Sequence, residues 1–279
     1  MIILSSFLIY SLTSAQDIEQ TFKLAIEQEK IGNYDEAIYF YRRIIFFDKS
    51  DYSSKSCAKI AECYIKTNDF ENAQIFIELA YKYEKNDSIK KEFILRKTSL
   101  LILSKKYDFA IIELLNLGTD LSEYFYHRKE FYLGIIHFQK NEFIESQVHF
   151  TNCLDPNFEN EIDEIKQLFV ENQKIDKKNY KFTRYLSLAI PGATQLYYGD
   201  YESAINSFLL VGAFCTLYIY TIINYSIIDA ALSISPWFLR YYQGGFAVSL
   251  KTVEKSISKK RNKIYRNIIS TIASTKIMN

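Results

Sequence analysis

Apolar side chains in the first half of the chain recur at three- and four-residue spacing, in stretches broken by polar turns. That period predicts a succession of amphipathic helices. After Ser203 the pattern changes. From Ser203 to Ile228 there is no charged side chain, a run longer than the roughly 20 apolar residues that cross a bilayer. The pattern therefore predicts an all-α chain with two parts, a helical, charged, water-facing region and a membrane-embedded helical region.

The first part repeats itself. Gly32-Asn-Tyr-Asp-Glu-Ala37, Asn68-Asp-Phe-Glu-Asn-Ala73, Lys105-Lys-Tyr-Asp-Phe-Ala110 and Asn141-Glu-Phe-Ile-Glu-Ser146 are four versions of one phrase, starting 36, 37 and 36 residues apart. Each has a polar turn, an aromatic, and a small residue three places later. A Gly or Asn suits the conformation that ends a helix. Acidic residues in the next turn suit the positive end of a helix dipole. The small residue lets the second helix approach the first.

On these residues the stretch 17–156 resembles four degenerate tetratricopeptide repeats. The second copy fits best, with Ile60, Ala61, Tyr64, Phe70, Ala73, Ile77 and Ala80 at the signature places. The first has Gln28 where an aromatic is usual, and the third has Lys97-Thr98 where an apolar and a small residue are usual. The resemblance implies a solenoid of helical hairpins whose first helices line a concave groove. That face would carry Phe22, Ile26, Lys30, Lys55, Glu62, Lys66, Leu95, Ser99, Ile102, Arg128, Phe131, Ile135 and Phe138. A groove mixing aromatics with charges suits a peptide or a partner helix.

Residues 157–181 read as one more helix, with Ile162, Ile165, Leu168 and Phe169 on one face, followed by a charged linker. Such a helix would close the last repeat's apolar face. Residues 182–250 form the expected membrane domain. Pro191, Gly192, Gln195, Tyr197 and Gly199 resemble a Pro-Gly-x-Gly-Gln-x-Tyr-x-Gly motif of small bacterial membrane domains, akin to two-span TM2 domains; Thr194 stands at the second glycine. The motif implies a structural role. Ser203–Asn224 is one span, and Ala230–Leu250 is a second candidate that carries Arg240, which should face protein, snorkel or mark the membrane boundary. A third short segment, Phe182–Tyr198, would put the repeats and the tail on opposite sides.

The tail, 251–279, holds eight Lys or Arg and one acid, Glu254. It reads either as an orienting or lipid-touching element or as a solvated helix that stops translocation. Residues 1–15 look like a signal peptide, with a short apolar core and Thr13 and Ala15 placed like a cleavage site, though no Lys or Arg precedes that core. Export would place the repeats in a bacterial periplasm, with the protein held at the cell membrane.

The net charge of +1 excludes the strongly basic footprint of a nucleic-acid binder. Cys57, Cys63, Cys153 and Cys215 match no metal or disulfide pattern. His127, His137 and His149 form no metal-like spacing, and no phosphate loop, metalloprotease motif or nucleophile elbow is present. The expectation is a scaffold without catalysis or cofactor, binding an envelope protein or peptide through the groove and the bilayer through 182–250. The alternative is a component of a membrane assembly or transport system whose membrane domain is active.

Overall fold

The computed structural model of the chain describes residues 18–47, 52–177 and 180–275. The expected signal peptide lies outside them. The described residues contain helices and no strand. They divide into two compact units that meet in sequence between Pro156 and Asn157.

The first unit is four helical hairpins. Their helices are α1 (Ile18–Lys30), α2 (Tyr34–Phe47), α3 (Ser53–Lys66), α4 (Phe70–Tyr83), α5 (Asp87–Leu103), α6 (Tyr107–Leu115), α7 (Glu123–Gln139) and α8 (Phe143–Asn152). The repeated phrase makes every hairpin turn. Gly32, Asn68, Lys105 and Asn141 all take positive φ, between 58° and 83°. At each one the residue's own N–H bonds three residues back, and the next N–H bonds five back, as in Asn68 to Ile65 and Asp69 to Tyr64. These paired bonds satisfy helix-end carbonyls. The small residues Ala37, Ala73, Ala110 and Ser146 are fully buried.

The irregular copies have local compensation. Gln28 accepts a hydrogen bond from the Asn33 amide at 3.0 Å, tying the first turn through polar atoms. Thr98 is fully buried, and its hydroxyl donates to the Ile94 carbonyl in its own helix. Gly134 admits the Phe150 ring, which a Cβ at that place would meet at 2.6 Å.

The second unit comprises α9 (Glu159–Lys177), α10 (Tyr180–Ala189), α11 (Ala193–Tyr197), α12 (Tyr201–Asn224), α13 (Ile227–Ser233) and α14 (Ser235–Ser274). The helix expected to close the solenoid, α9, packs along the end of α14. Its Ile165 and Phe169 are buried, as are Ile264, Ile268 and Ile272 of α14. The apolar face read as a cap thus belongs to a two-helix pairing in this unit.

The expected third membrane segment is interrupted. Pro191 and Gly192 split it into helices of 10 and 5 residues, about 15 and 8 Å long, too short to cross a 30 Å apolar layer. The α12 helix has 24 residues, about 36 Å. After α13 the chain returns along α12 as α14, one 40-residue helix that joins the second expected span to the basic tail. Ser235 and Pro236 open that helix, where proline costs no hydrogen bond.

Candidate functional site

The first helices of the hairpins, α1, α3, α5 and α7, carry charges that pair from one repeat to the next. Glu29 meets Lys59 at 3.3 Å, Lys59 meets Glu62 at 2.7 Å, and Glu62 meets Arg96 at 3.2 Å. Glu92 meets Arg128 at 2.7 Å, and Arg128 also donates to the Tyr124 hydroxyl. Glu29 further accepts from the Tyr41 hydroxyl at 2.9 Å. Burial and then Glu29 push the Tyr41 hydroxyl's pKa up. Burial opposes the charge on Lys59, but Glu62 and Glu29 outweigh it and raise its pKa. Burial likewise opposes Arg128, which Glu92 holds protonated.

This ladder changes the groove drawn from the sequence. Glu62 and Arg128 belong to it; Glu29, Lys59, Glu92 and Arg96 were not in the expected set. A signal for them existed, since Glu62–Arg96 and Glu92–Arg128 are opposite charges one repeat apart. Leu95 and Phe138 are buried and unavailable to a partner, because their side chains fill the space between helices. Phe138 meets Phe143 there. Phe22 packs on Tyr41 and Tyr52, and Phe131 packs on Phe150. Ile26 and Ile102 pack at the margins of core clusters. Ile135 is half-buried, as is Ser99, which donates to the Arg96 carbonyl. Lys30, Lys55 and Lys66 are exposed. The aromatics of the expected groove are spent on packing, and what this face presents is chiefly charge.

A cavity of about 350 Å³ lies between α4, α5 and α6. Lys97 lines it and bridges Glu113 at 2.8 Å and Glu78 at 3.5 Å. This is how the third repeat tolerates a lysine at an apolar place. Burial opposes its charge, and the two glutamates raise its pKa. The buried thiols are pushed up by burial, Cys57 and Cys153 to about 12 and Cys63 to about 11. They sit as small hydrophobes, with Cys57 and Cys63 in different core clusters. His137 and His149 stack with ring centres 5.0 Å apart. Each is bonded to a carboxylate, Glu142 and Glu130 respectively. Their distance in sequence gave no hint of that. Among the described residues no group of His, Cys, Asp and Glu is arranged to hold a metal ion.

In the second unit the motif residues build a polar hub. Gln195 is fully buried. Its amide nitrogen donates to the Ser207 hydroxyl and the Gly245 carbonyl, and its oxygen accepts from the Ser249 hydroxyl at 2.9 Å. One side chain thus ties α11, α12 and α14. Gly192, at φ +87°, lies where a Cβ would stand 2.6 Å from the Ala204 carbonyl oxygen. Ser187 and Thr194 share a buried hydrogen bond at 2.6 Å. Pro191 is half-buried beside them, whereas Tyr197 is exposed. Tyr242 donates to the Leu188 carbonyl. Arg240 is exposed, with its guanidinium 5.9 Å from the Trp237 ring, near the bend between α12 and α14.

Gly199-Asp-Tyr-Glu-Ser-Ala204 is a fifth copy of the repeated phrase. Gly199 and Asp200 make the same pair of backward bonds, to Leu196 and Gln195. Asp200 accepts from the Ser203 N–H as Asp69 does from Asn72. It lies out of phase with the other four, which hides it from a search at a 36-residue period.

A family profile described as Tetratricopeptide repeat matches residues 54–87. That is the second hairpin and the start of α5. Such repeats generally mediate protein–protein interactions, and the match suggests that role for the first unit. No curated protein and no solved structure matches the chain.

Proposed function

We propose that the protein is a non-catalytic, membrane-anchored interaction scaffold of a bacterial cell envelope. The repeats capture a protein or peptide of complementary charge along the α1, α3, α5 and α7 face. The α12–α14 hairpin holds them at the bilayer. The observation that carries this reading is the surface of α12. Its most apolar stretch is only 11% buried, and Phe208, Leu209, Ile219 and Ile223 are all exposed. A helix with that composition in a soluble protein would be a core helix; turned outward, it calls for lipid. Tyr197, Tyr198 and Tyr201 at one end, and Tyr225 and Trp237 at the other, suit headgroup depth. Arg240 over Trp237 suits the far interface. The resemblance of the Pro191–Gly199 motif to two-span membrane domains points the same way. Alkaline extraction of cell membranes tests the anchor: the chain should stay in the pellet, and release into the supernatant would refute it.

The expected signal peptide supports a periplasmic location for the repeats. A second reading has the repeats in the cytoplasm. It is favoured by the pairing of α9 with the basic end of α14, which keeps both flanks of the hairpin at one end, and by the rule that basic flanks stay inside. Reporters inserted between Thr119 and Asp120 and fused after Asn279 separate these readings. Two external signals support export with a two-span hairpin. Two internal signals support the cytoplasmic reading. Signals on opposite sides would restore the third segment.

A further inference from the structure

A cavity of about 470 Å³ opens in the second unit between α9, α11 and α14. Lys174 on α9 and Lys260 and Lys263 on α14 line it, with Tyr197, Tyr198 and the carboxylate of Glu171. Several half-buried lysines of the repeats are paired. Lys59, Lys97 and Lys140 in the repeats each meet one or more carboxylates. Lys174, Lys260 and Lys263 are exposed, and among the described residues none of them makes an ion pair, although they line one hollow from two helices. Three ammonium groups against the single carboxylate of Glu171 leave this hollow net positive, a setting that suits an anion. Its place narrows the anion further. Thr252 marks where α14 leaves the base of the hairpin, through its bond to Asp200. Lys260 and Lys263 follow within about three turns, and Tyr197 and Tyr198 immediately precede α12. This is headgroup depth if α12 crosses a bilayer.

We propose that this cavity binds the phosphate of an anionic phospholipid headgroup. The lysines take the phosphate oxygens, and Glu171 accepts from a headgroup hydroxyl such as that of glycerol. Charge-assisted bonds of this kind are the strong ones, and a basic hollow between helices outlasts the diffuse attraction of a basic tail. The identity of the ligand as lipid rests on the membrane reading above; the anion site itself rests on the cavity.

The test uses the full chain in dodecyl maltoside, followed by thermal unfolding with added phosphatidylglycerol, phosphatidylcholine or inorganic phosphate. Phosphatidylglycerol should raise the midpoint and phosphatidylcholine should not. The variant K260Q/K263Q, and independently K174Q, should weaken phosphatidylglycerol binding by tenfold or more. K251Q/K255Q removes the same charge from another face of α14 and should retain it. An equal loss in both double variants would reduce the effect to diffuse charge and overturn the proposal. A cavity-dependent shift with inorganic phosphate alone would overturn the lipid as ligand and leave a soluble phosphate in its place. Flotation with vesicles of pure phosphatidylcholine reads the membrane proposal separately: floating protein with no phosphatidylglycerol effect refutes only the cavity, whereas protein that does not float refutes the anchor.

Discussion

The same turn serves both units, and they use it to opposite ends. Asp69, Lys106, Glu142 and Asp200 precede their helices with nearly one backbone geometry, φ −88° to −91° and ψ 61° to 77°. In the repeats the turn leads from a first helix whose outer face is charged and paired across repeats into a second helix that exposes scattered apolar residues such as Phe46, Ile75, Ile112 and Ile144. In the second unit it joins a short helix to one whose outer face is Phe, Leu and Ile. The turn fixes only how two helices meet. The solvent each hairpin suits is written in its outward positions, independently of the turn.

Substitutions can break that comparison. Gly134→Leu should be the most damaging in the repeats. Its side chain would displace the Phe150 ring, and overpacking of this kind costs about 3 kcal/mol. Denaturant unfolding of the detergent-solubilised chain should show the loss in the transition reported by the first unit. Gln195→Leu should cost about 2 kcal/mol, because it strips partners from Ser207 and the Gly245 carbonyl. The loss should appear as faster proteolysis between α11 and α14, with the repeats unaffected. If both units melt together after either change, the two do not behave as separate structural units.

Arg128→Met probes the ladder. It leaves Glu92 half-buried without its cation, for about 1 kcal/mol of stability. It should also weaken capture of any acidic partner in a pull-down. Lys105→Gly acts in the other direction. A lysine at φ +58° is strained, and glycine there should stabilise by up to about 1 kcal/mol. A melting temperature that falls instead would mean that Lys105 is held by something beyond its turn.

The smallest effects are those of pH. Hydrogen bonding by Lys82 and the charge of Lys97 lower the pKa of Glu78 from 4.5, and backbone bonding at Asn86 and Lys85 lowers that of Glu84. Their contribution is present above pH 4.5 and is lost as pH falls through the depressed values. Lys59 and Lys97 are raised from 10.5, so their contribution is present below that pH and lost above it. These groups should therefore make the repeats less stable at both the acid and the alkaline end. Denaturant midpoints that fall at neither extreme would sink this reading.

The repeats were legible because their signal is local. A phrase of six residues fixes a turn, and a period of about 36 aligns four of them. The site was less legible because a helical period shows which residues share a face, not how deeply neighbours cover it. Leu95 and Phe138 fall on the expected face and are buried by the adjacent helices. The partner of α9 was not legible for a related reason. An apolar stripe of Ile165 and Phe169 demands a partner but does not name one, and the partner lies about a hundred residues away on α14. The polar hub of Gln195 depends on contacts with Gly245 and Ser249, some fifty residues distant, which no spacing rule reaches.

The length of α14 has a mechanical consequence. Its 40 residues form a rod of about 60 Å with no break between the hairpin and the basic end. A rigid rod pivoting about one end by 5° carries its other end sideways by about 5 Å over that length. Small tilts of the apolar half, such as those imposed by a change in membrane thickness, would be delivered to the α9 pairing as displacements about as large as a side chain. The helix is a lever arm as well as a packing partner.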